Sequence, residues 1–235
     1  MDMTETVVLV HGAFAESAGW NGVIARLREQ GRRVVAVANP LRSLAGDAEY
    51  LRRVLSGIEG PVVLAGHSYG GMVATEAAAG NPQVKALVYV AAFAPEAGES
   101  ALGLSGKYPG STLGATLDPV PLGDGSNDLS IRPDEFHGQF AADVPAAEAA
   151  LMAATQRPVR DVALSQEATH AAWRDIPSWF LIPLGDKNIP AAAQRFMAER
   201  AGARKVVELD GASHAVAVSE PAAVADLILE AAKSA

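Results

Sequence analysis

Three residues of the sequence have the side chains, the order and the local context of a nucleophile, an acid and a base. Ser68 lies in Gly66-His-Ser-Tyr-Gly70, which matches the pattern G-x-S-x-G. Asp186 and His214 each follow a later apolar segment of the chain. A serine hydroxyl is a weak nucleophile near neutral pH, so it requires an imidazole as general base and a carboxylate that orients this imidazole. The order serine, acid, histidine therefore predicts a catalytic triad for acyl transfer.

The residues around Ser68 predict a sharp turn from a strand into a helix, known as a nucleophile elbow. The apolar run Val62–Ala65 precedes the motif, and Gly71–Ala79 has a helical composition. Glycines 66 and 70 have no Cβ, which allows strand and helix to approach closely while Ser68 takes a strained backbone conformation. Taken alone, these five residues also fit a plain glycine-rich turn, since short motifs occur by chance. The matching acid and histidine favour the elbow.

Hydrolysis also requires two backbone N–H groups that bind the oxyanion of the tetrahedral intermediate. We expect one of them from Tyr69, directly after the nucleophile. The other is expected from the loop after the first strand, His11-Gly-Ala-Phe14. Ala13 is the preferred donor in this loop and Phe14 is the fallback, while His11 is interpreted as a brace for the loop.

The elements that must position these residues alternate between apolar strands and amphipathic helices. Continuous apolar runs are typical of parallel strands buried on both faces. The predicted strands are Thr6–His11, Val34–Ala38, Val62–Ala65, Ala86–Ala91, Trp179–Leu184 and Arg204–Leu209. The predicted helices lie near residues 18–30, 47–58, 71–79, 190–200 and 221–232. This alternation indicates an α/β fold with a doubly wound, mostly parallel six-stranded sheet and helices on both faces.

The alternation is interrupted between the fourth and fifth strands. Residues 95–175 contain many glycines, and so long an insertion in a compact domain is typical of a functional lid. Three pieces of it have helical patterns: Pro133–Ala142, Pro145–Gln156 and Arg160–Thr169. We therefore expect a core formed by residues 1–94 and 176–235, with residues 95–175 as a helical cap (lid) subdomain.

Over essentially its whole length the chain resembles the α/β-hydrolase family. The segments that carry the resemblance are Val8–Phe14, Gly66–Gly71, Gly185–Pro190 and Gly211–His214. The nearest group is small and cofactor-free, and it includes plant methylesterases, plant hydroxynitrile lyases and uncharacterised bacterial hydrolases. The resemblance implies Ser68 as nucleophile, Asp186 as acid, His214 as base, and no metal or organic cofactor. It also implies a six-stranded sheet that begins at the family's third strand.

Two positions depart from the hydroxynitrile lyases of this group. Those enzymes carry a lysine directly after the catalytic histidine, where this chain has Ala215. Several of them have a threonine after the first-strand histidine, where this chain has Gly12. Both departures favour hydrolysis. The plant esterase pattern His-Gly-Ala-Cys-His-Gly is also altered, to His11-Gly-Ala-Phe-Ala-Glu16, so plant substrates are not carried over.

The function predicted from the sequence is that of a serine hydrolase of the carboxylesterase type, which cleaves small carboxylic esters through an acyl-enzyme. A cofactor-free lyase or perhydrolase on the same triad remains an alternative. A slow-turnover ligand receptor is another, because this fold hosts several functions.

Other titratable residues compete for roles in the site. Glu96, past the end of the fourth strand, is an alternative acid, but the context Gly185-Asp186 followed by Ile189-Pro190 favours Asp186. Asp210 is closer in sequence to His214, and we expect it to stabilise a turn. His67 is interpreted as structural.

Candidate substrate contacts are aromatic or imidazole side chains near the first loop and in the cap. They are Phe14, Phe136, His137 and Phe140. An apolar lid would favour an apolar acyl or alcohol group.

Composition limits the classes of partner. The 235 residues are 49% hydrophobic, which suffices for one full core, and they contain no cysteine that could form a disulfide, a thiolate metal site or a nucleophile. The net charge of −8 disfavours nucleic acid and anionic membranes as partners. The start Met1–Thr6 is unlike a signal peptide, and no apolar run has the roughly 18 residues of a membrane span. We expect a cytoplasmic protein, monomer or homodimer, that acts on a small-molecule ester.

Overall fold

The computed structural model describes residues 5–234. Met1–Thr4, which belong to the segment that is unlike a signal peptide, lie outside the described residues, and so does Ala235. The strands of the described chain are β1 (Thr6–Val10), β2 (Arg33–Val37), β3 (Val62–His67), β4 (Val84–Val90), β5 (Leu117–Pro121), β6 (Asn127–Ile131), β7 (Val159–Arg160), β8 (Ser178–Pro183) and β9 (Lys205–Leu209). The helices are α1 (Asn21–Glu29), α2 (Leu44–Ser56), α3 (Tyr69–Ala78), α4 (Ala101–Ser105), α5 (Pro133–Phe140), α6 (Ala146–Thr155), α7 (Asp161–Ser165), α8 (Ala191–Arg200), α9 (Val216–Ser219) and α10 (Pro221–Ala232).

Six strands form one parallel sheet in the order β2-β1-β3-β4-β8-β9. Every residue of β1 and β3 is buried, as expected for central strands covered on both faces. The edge strands β2 and β9 are more exposed, and β9 carries charged residues at Lys205 and Glu208. The predicted doubly wound, parallel six-stranded sheet is therefore confirmed.

Successive side chains of each strand point to opposite faces of the sheet, and helices cover both faces. Val7 and Leu9 of β1 pack in one apolar cluster with residues of α1 and α10. Val8 and Val10 pack in the other cluster, which contains residues of α2, α3 and α8. The continuous apolar run in β1 is explained by this burial from two sides.

The helix predicted from residue 47 begins three residues earlier, at Leu44. Ser43 is the reason, because its Oγ accepts a hydrogen bond from the N–H of Gly46 at 3.2 Å and caps the first turn. Where the first helix ends, Gly31 has the positive φ of 73° that a C-terminal cap requires.

Residues 95–175, called the insertion below, contain helices near the three predicted positions, although α7 is shorter than the predicted piece 160–169. The insertion also contains an antiparallel sheet of β5, β6 and β7, which the sequence pattern did not predict. The sequence pattern does not indicate this sheet because β5 contains prolines at 119 and 121, which are disfavoured in strands, and because β7 has only two residues. Ile131 and Phe136 of the insertion belong to the same apolar cluster as β1 and β3.

None of the helices found between residues 5 and 234 combines the length and the apolar character that crossing a membrane would require.

Candidate active site

Ser68 occupies the turn between β3 and α3 with φ of 54° and ψ of −126°, a conformation that is costly for a residue with a side chain. Two glycines make the turn possible. A Cβ on Gly66 would lie 2.6 Å from the carbonyl oxygen of Gly70, and a Cβ on Gly70 would lie 2.3 Å from that of Val10. The Ser68 N–H donates to the carbonyl of Ala91 at 3.1 Å, which ties the elbow to the end of β4. The geometry is that of a nucleophile elbow.

Asp186 and His214 follow β8 and β9 and meet beside the elbow. His214 Nδ1 donates to Asp186 Oδ2 at 2.7 Å, and both side chains are almost completely buried. The second oxygen, Asp186 Oδ1, accepts the backbone N–H groups of Asn188 at 2.7 Å and Ile189 at 3.0 Å. Because Nδ1 carries the hydrogen in this bond, Nε2 of a neutral His214 has a free lone pair and can act as a base.

Gln194 is a fourth hydrogen-bond donor to this carboxylate, and sequence reasoning did not identify it. Its Nε2 donates to Asp186 Oδ2 at 2.9 Å and also to the carbonyl of Ile189 at 2.9 Å. The donors around both oxygens fix the plane of the carboxylate. A glutamine in the first turn of the helix that follows the acid is the signal that could have identified this contact.

The structure brings the elbow and the histidine loop into contact. The rings of His67 and His214 lie 4.7 Å apart, and His67 Nε2 donates to the carbonyl of His214 at 2.9 Å. Burial, together with the proximity of His214, lowers the pKa of His67 to about 3, so this imidazole is neutral. Within the described chain there is no hydrogen bond between Ser68 Oγ and His214 Nε2. In catalytic sites the hydrogen bond between these two groups is often long without substrate and becomes shorter when substrate binds.

The backbone around the elbow offers two free N–H groups. In the part of the chain that the structure describes, neither Ala13 nor Tyr69 donates its N–H to another residue, and both line the cavity in front of Ser68. The N–H of Phe14, the fallback donor, is occupied by the carbonyl of Arg157 at 3.2 Å. The hydrogen bonds thus favour Ala13 over Phe14.

His11 holds the loop that carries Ala13, as the sequence suggested. Its Nε2 accepts the backbone N–H of Asn39 at 3.0 Å, so Nδ1 carries the hydrogen and donates to the carbonyl of Gly12 at 2.9 Å. The Asn39 side chain donates in turn to the carbonyl of His11 at 2.9 Å. Burial lowers the pKa of His11 to about 4, which keeps the ring neutral and this pattern intact at neutral pH.

A cavity of about 300 Å³ lies in front of Ser68. Much of its wall is apolar and comes from the insertion: Leu102, Leu113, Leu117, Leu129 and Leu164. Phe14 lines this cavity too, as expected for a candidate substrate contact.

Phe136, His137 and Phe140, the other candidate substrate contacts, do not line this cavity. Phe140 lies edge-on to the His214 ring with 4.9 Å between ring centroids, and Phe136 stacks on Phe140. His137 Nε2 donates to the carbonyl of Val144 at 2.9 Å. Helix α5 thus packs against the His214 ring through Phe140, and substrate contact by these three residues stays a prediction.

Glu96, the alternative acid, is engaged elsewhere: it forms an ion pair with the exposed Arg174. Among residues 5–234 there is no group of three or more His, Cys, Asp or Glu side chains placed to hold a metal ion.

Comparison with known proteins places this geometry in context. The model of the alpha/beta hydrolase family matches residues 7–227. The alpha/beta hydrolase nvfD of Aspergillus novofumigatus (strain IBT 16806) is 30% identical over 250 residues, which cover 96% of either chain. A carbendazim hydrolyzing esterase of Nocardioides sp. (strain SG-4G) is 38% identical over 110 residues, which are 41% of this chain and 46% of that protein.

Solved structures show the same architecture. The crystal structure of polyneuridine aldehyde esterase superposes with a TM-score of 0.81 at 22% sequence identity, over 97% of this chain and 99% of that chain. At this level of identity the similarity concerns the fold.

Proposed function

Because the chain belongs to the alpha/beta hydrolase family, we propose that it is a serine hydrolase that cleaves small carboxylic esters through an acyl-enzyme on Ser68. The observation that carries the proposal is the buried pair of His214 and Asp186, 2.7 Å apart, held against the elbow that presents Ser68. Similar proteins named as esterases favour an ester as the substrate.

In the first half of the reaction, His214 Nε2 takes the proton of the Ser68 hydroxyl while Oγ bonds to the ester carbonyl carbon. The carbonyl oxygen becomes an oxyanion that accepts hydrogen bonds from the N–H groups of Ala13 and Tyr69. His214 then gives its proton to the alcohol oxygen, the carbon–oxygen bond breaks, and the alcohol leaves. Asp186 stays ionised throughout and stabilises the imidazolium.

The second half repeats these steps with water. His214 takes a proton from a water molecule, whose oxygen attacks the acyl carbon. The second tetrahedral intermediate collapses as the proton returns to Ser68 Oγ, and the carboxylic acid is released. Residues of this chain and water supply every proton that moves.

The insertion serves in this proposal as the cap that shapes the substrate cavity. Leucines from five of its helices and strands line the cavity, so an apolar acyl or alcohol group would replace water there at a gain of about 25 cal/mol per Å². A cavity of about 300 Å³ suits a small ester.

Hydrolysis is favoured over cyanohydrin cleavage by the residues at two positions. Ala215 is buried and apolar where the lyases carry lysine. At Gly12 a Cβ would lie 2.5 Å from the Cβ of Ser68, so a threonine does not fit there without a shift of the elbow.

The proposal is tested by steady-state hydrolysis of 4-nitrophenyl esters from acetate to octanoate, with Ser68→Ala as the control. We expect turnover in the wild type, a loss of at least about 10³-fold in Ser68→Ala, and an optimum chain length set by the cavity. Equal rates in both proteins across the series would contradict the proposal. A slow receptor would bind these esters with at most a single turnover.

A further inference from the structure

The wall of the Ser68 cavity contains a small group of polar side chains among its leucines. Ser105, Ser111 and Asn188 line the cavity and are called the polar patch below. Ser105 Oγ donates to the backbone carbonyl of Asn188 at 3.0 Å and lies 3.4 Å from Ser111 Oγ. These contacts connect α4 and the loop that follows it to the loop between β8 and α8, which carries Asp186.

The orientation of the Asn188 amide is fixed by its neighbour Gln139. Gln139 Nε2 lies 3.0 Å from the carbonyl of Lys187, and because a carbonyl only accepts, this atom must be the amide nitrogen. The same Nε2 lies 2.7 Å from Asn188, so the oxygen Oδ1 of Asn188 faces it as acceptor. The donor group of Asn188, Nδ2, therefore points away from Gln139.

Asn188 Nδ2 is buried and has no hydrogen-bond partner within the described chain. A buried donor without an acceptor costs more free energy than a hydrogen bond normally contributes, so such groups are rare unless a ligand or water completes them. Asn188 is also one of the residues that line the cavity, although Nδ2 itself has almost no accessible surface, so a substrate oxygen reaches this donor only when neighbouring side chains shift. Its backbone N–H also holds Asp186 Oδ1 at 2.7 Å, so the donor sits next to the catalytic acid.

We infer that the polar patch is a subsite for a second oxygen of the substrate, which accepts a hydrogen bond from Asn188 Nδ2. The preferred substrate is then an ester that carries an ether, ketone or hydroxyl oxygen in addition to the ester group. The leucines of the cavity hold the apolar part of this molecule, and the patch fixes its position along the wall. The inference rests on the proposed ester hydrolysis and specifies the substrate class of the same site.

An oxygen scan tests the subsite. Methyl hexanoate is compared with methyl 2-propoxyacetate, 3-ethoxypropanoate and 4-methoxybutanoate, in which one methylene group is replaced by an ether oxygen. Pentyl acetate, 2-ethoxyethyl acetate and 3-methoxypropyl acetate scan the alcohol side. The readout is the ratio of kcat/KM for each ether to that for its alkyl parent, in the wild type and in Asn188→Leu.

We expect Asn188→Leu to lower this ratio about 3- to 10-fold at one oxygen position, the worth of a neutral hydrogen bond, and to leave the other positions unchanged. Ser105→Ala and Ser111→Ala should shift the same ratio in the same direction by less. Leu129→Ala, which alters the apolar wall, is the matched control and should change ether and parent together. Asn188→Ala replaces Asn188→Leu if the latter does not fold.

A ratio that is the same in the wild type and in the Asn188 variant at every position of both series would overturn the inference. That result would mean that Nδ2 is paired by water for all substrates alike. Binding of the same esters to Ser68→Ala, measured by calorimetry, separates the two proposals. If one ether binds more tightly than its alkyl parent and this difference is lost in the Asn188 variant, the subsite is supported even when the wild type hydrolyses none of the esters. In that case only the proposed ester hydrolysis is contradicted.

Discussion

At the scale of single residues, the position of Ser68 depends on a neighbouring glycine. Gly12 lies against the elbow, and a Cβ there would be 2.5 Å from the Cβ of Ser68 and 2.8 Å from the carbonyl of His67. Both atoms belong to a turn that is already strained, with φ of 54° at Ser68. The elbow has little freedom to move away.

Gly12→Ala should therefore misplace Ser68 Oγ and lower kcat/KM for 4-nitrophenyl esters by about 10²-fold, the usual effect of an ångström-scale displacement. Gly19→Ala is the matched control, because a Cβ at Gly19 has no atom within 4 Å and should leave kcat/KM nearly unchanged. Comparable rates for the two variants would mean that the elbow can accommodate a side chain at position 12.

The hydrogen bond to Asp186 keeps the hydrogen of His214 on Nδ1, and the substitution Asp186→Asn tests the importance of this bond. All four groups that contact the Asp186 carboxylate are hydrogen-bond donors in the wild type. In Asp186→Asn the NH₂ group of the amide must face two of them, either the side chains of His214 and Gln194 or the backbone N–H groups of Asn188 and Ile189. A donor then meets donors in either orientation. We expect kcat to fall about 10⁴-fold, as for a triad in the wrong tautomer, with KM little changed. Glu96→Gln, at the alternative acid, should change kcat by less than about threefold.

The residues of the proposed triad and the proposed donors Ala13 and Tyr69 could be named from the sequence because each follows a strand end in a recognisable local pattern. Gln194, Asn39 and Asn188 could not, since their contacts depend on how a helix or a neighbouring loop packs in three dimensions. The same reason explains Phe136 and Phe140. Their apolar character predicts burial, but only the packing of α5 decides that Phe140 lies against the His214 ring and that Phe136 stacks on Phe140.

At the scale of elements, the insertion is fastened to the helix that follows the nucleophile. Glu76 of α3 is buried and accepts the backbone N–H groups of Thr169 at 2.9 Å and His170 at 3.1 Å, together with His170 Nδ1 at 2.8 Å. Although burial alone would raise it, the pKa of Glu76 is lowered because the hydrogen bond from the Thr169 hydroxyl, together with those from the His170 ring and the two backbone N–H groups, favours the ionised form. The end of the insertion is thus held by one carboxylate.

Glu76→Gln puts an NH₂ group among donors and should lower the free energy of unfolding by about 1 to 3 kcal/mol. Hydrogen exchange of residues 168–174 should also become faster. Urea titration would measure the free energy of unfolding, and mass spectrometry would measure the exchange. Glu49→Gln removes an exposed ion pair with Arg53 and should cost less than about 1 kcal/mol. Equal effects of the two substitutions would show that Glu76 does not fasten the insertion.

The central sheet was predictable because its strands are long apolar runs that alternate with amphipathic helices. The sheet in the insertion was not, because β5 contains two prolines and β6 begins with Asn127 and Asp128, residue types that are rare in strands. Its pairing depends on long-range contacts, such as the register that places Leu129 beside Val159. Local patterns carry little information about such pairs.

At the scale of the whole molecule, two buried neutral histidines make stability depend on pH. The folded pKa of His11 is about 4 and that of His67 is about 3, because burial disfavours the charged form, whereas the reference value is 6.5. Between these values the unfolded chain binds more protons than the folded one, so stability is lost as the pH falls below 6.5. Burial raises the pKa of Asp47, and this acts in the opposite direction.

We expect the free energy of unfolding to fall between pH 6.5 and 4.5, with a slope that approaches about 1.4 kcal/mol per pH unit for each of the two histidines. Urea titrations at several pH values would measure it. The amide of Gln in His67→Gln can still donate to the carbonyl of His214. In this variant the slope of the free energy of unfolding against pH should decrease by the contribution of one histidine. An unchanged slope in this variant would contradict the assignment of a neutral, buried His67.

Covalent labelling tests whether Ser68 is a nucleophile that His214 activates. The protein is treated with a fluorophosphonate, and the adduct is located by intact mass and peptide mapping. We expect one adduct per chain on Ser68, none in Ser68→Ala, and much slower labelling in His214→Gln. Labelling of another residue, or equal labelling of wild type and Ser68→Ala, would contradict it.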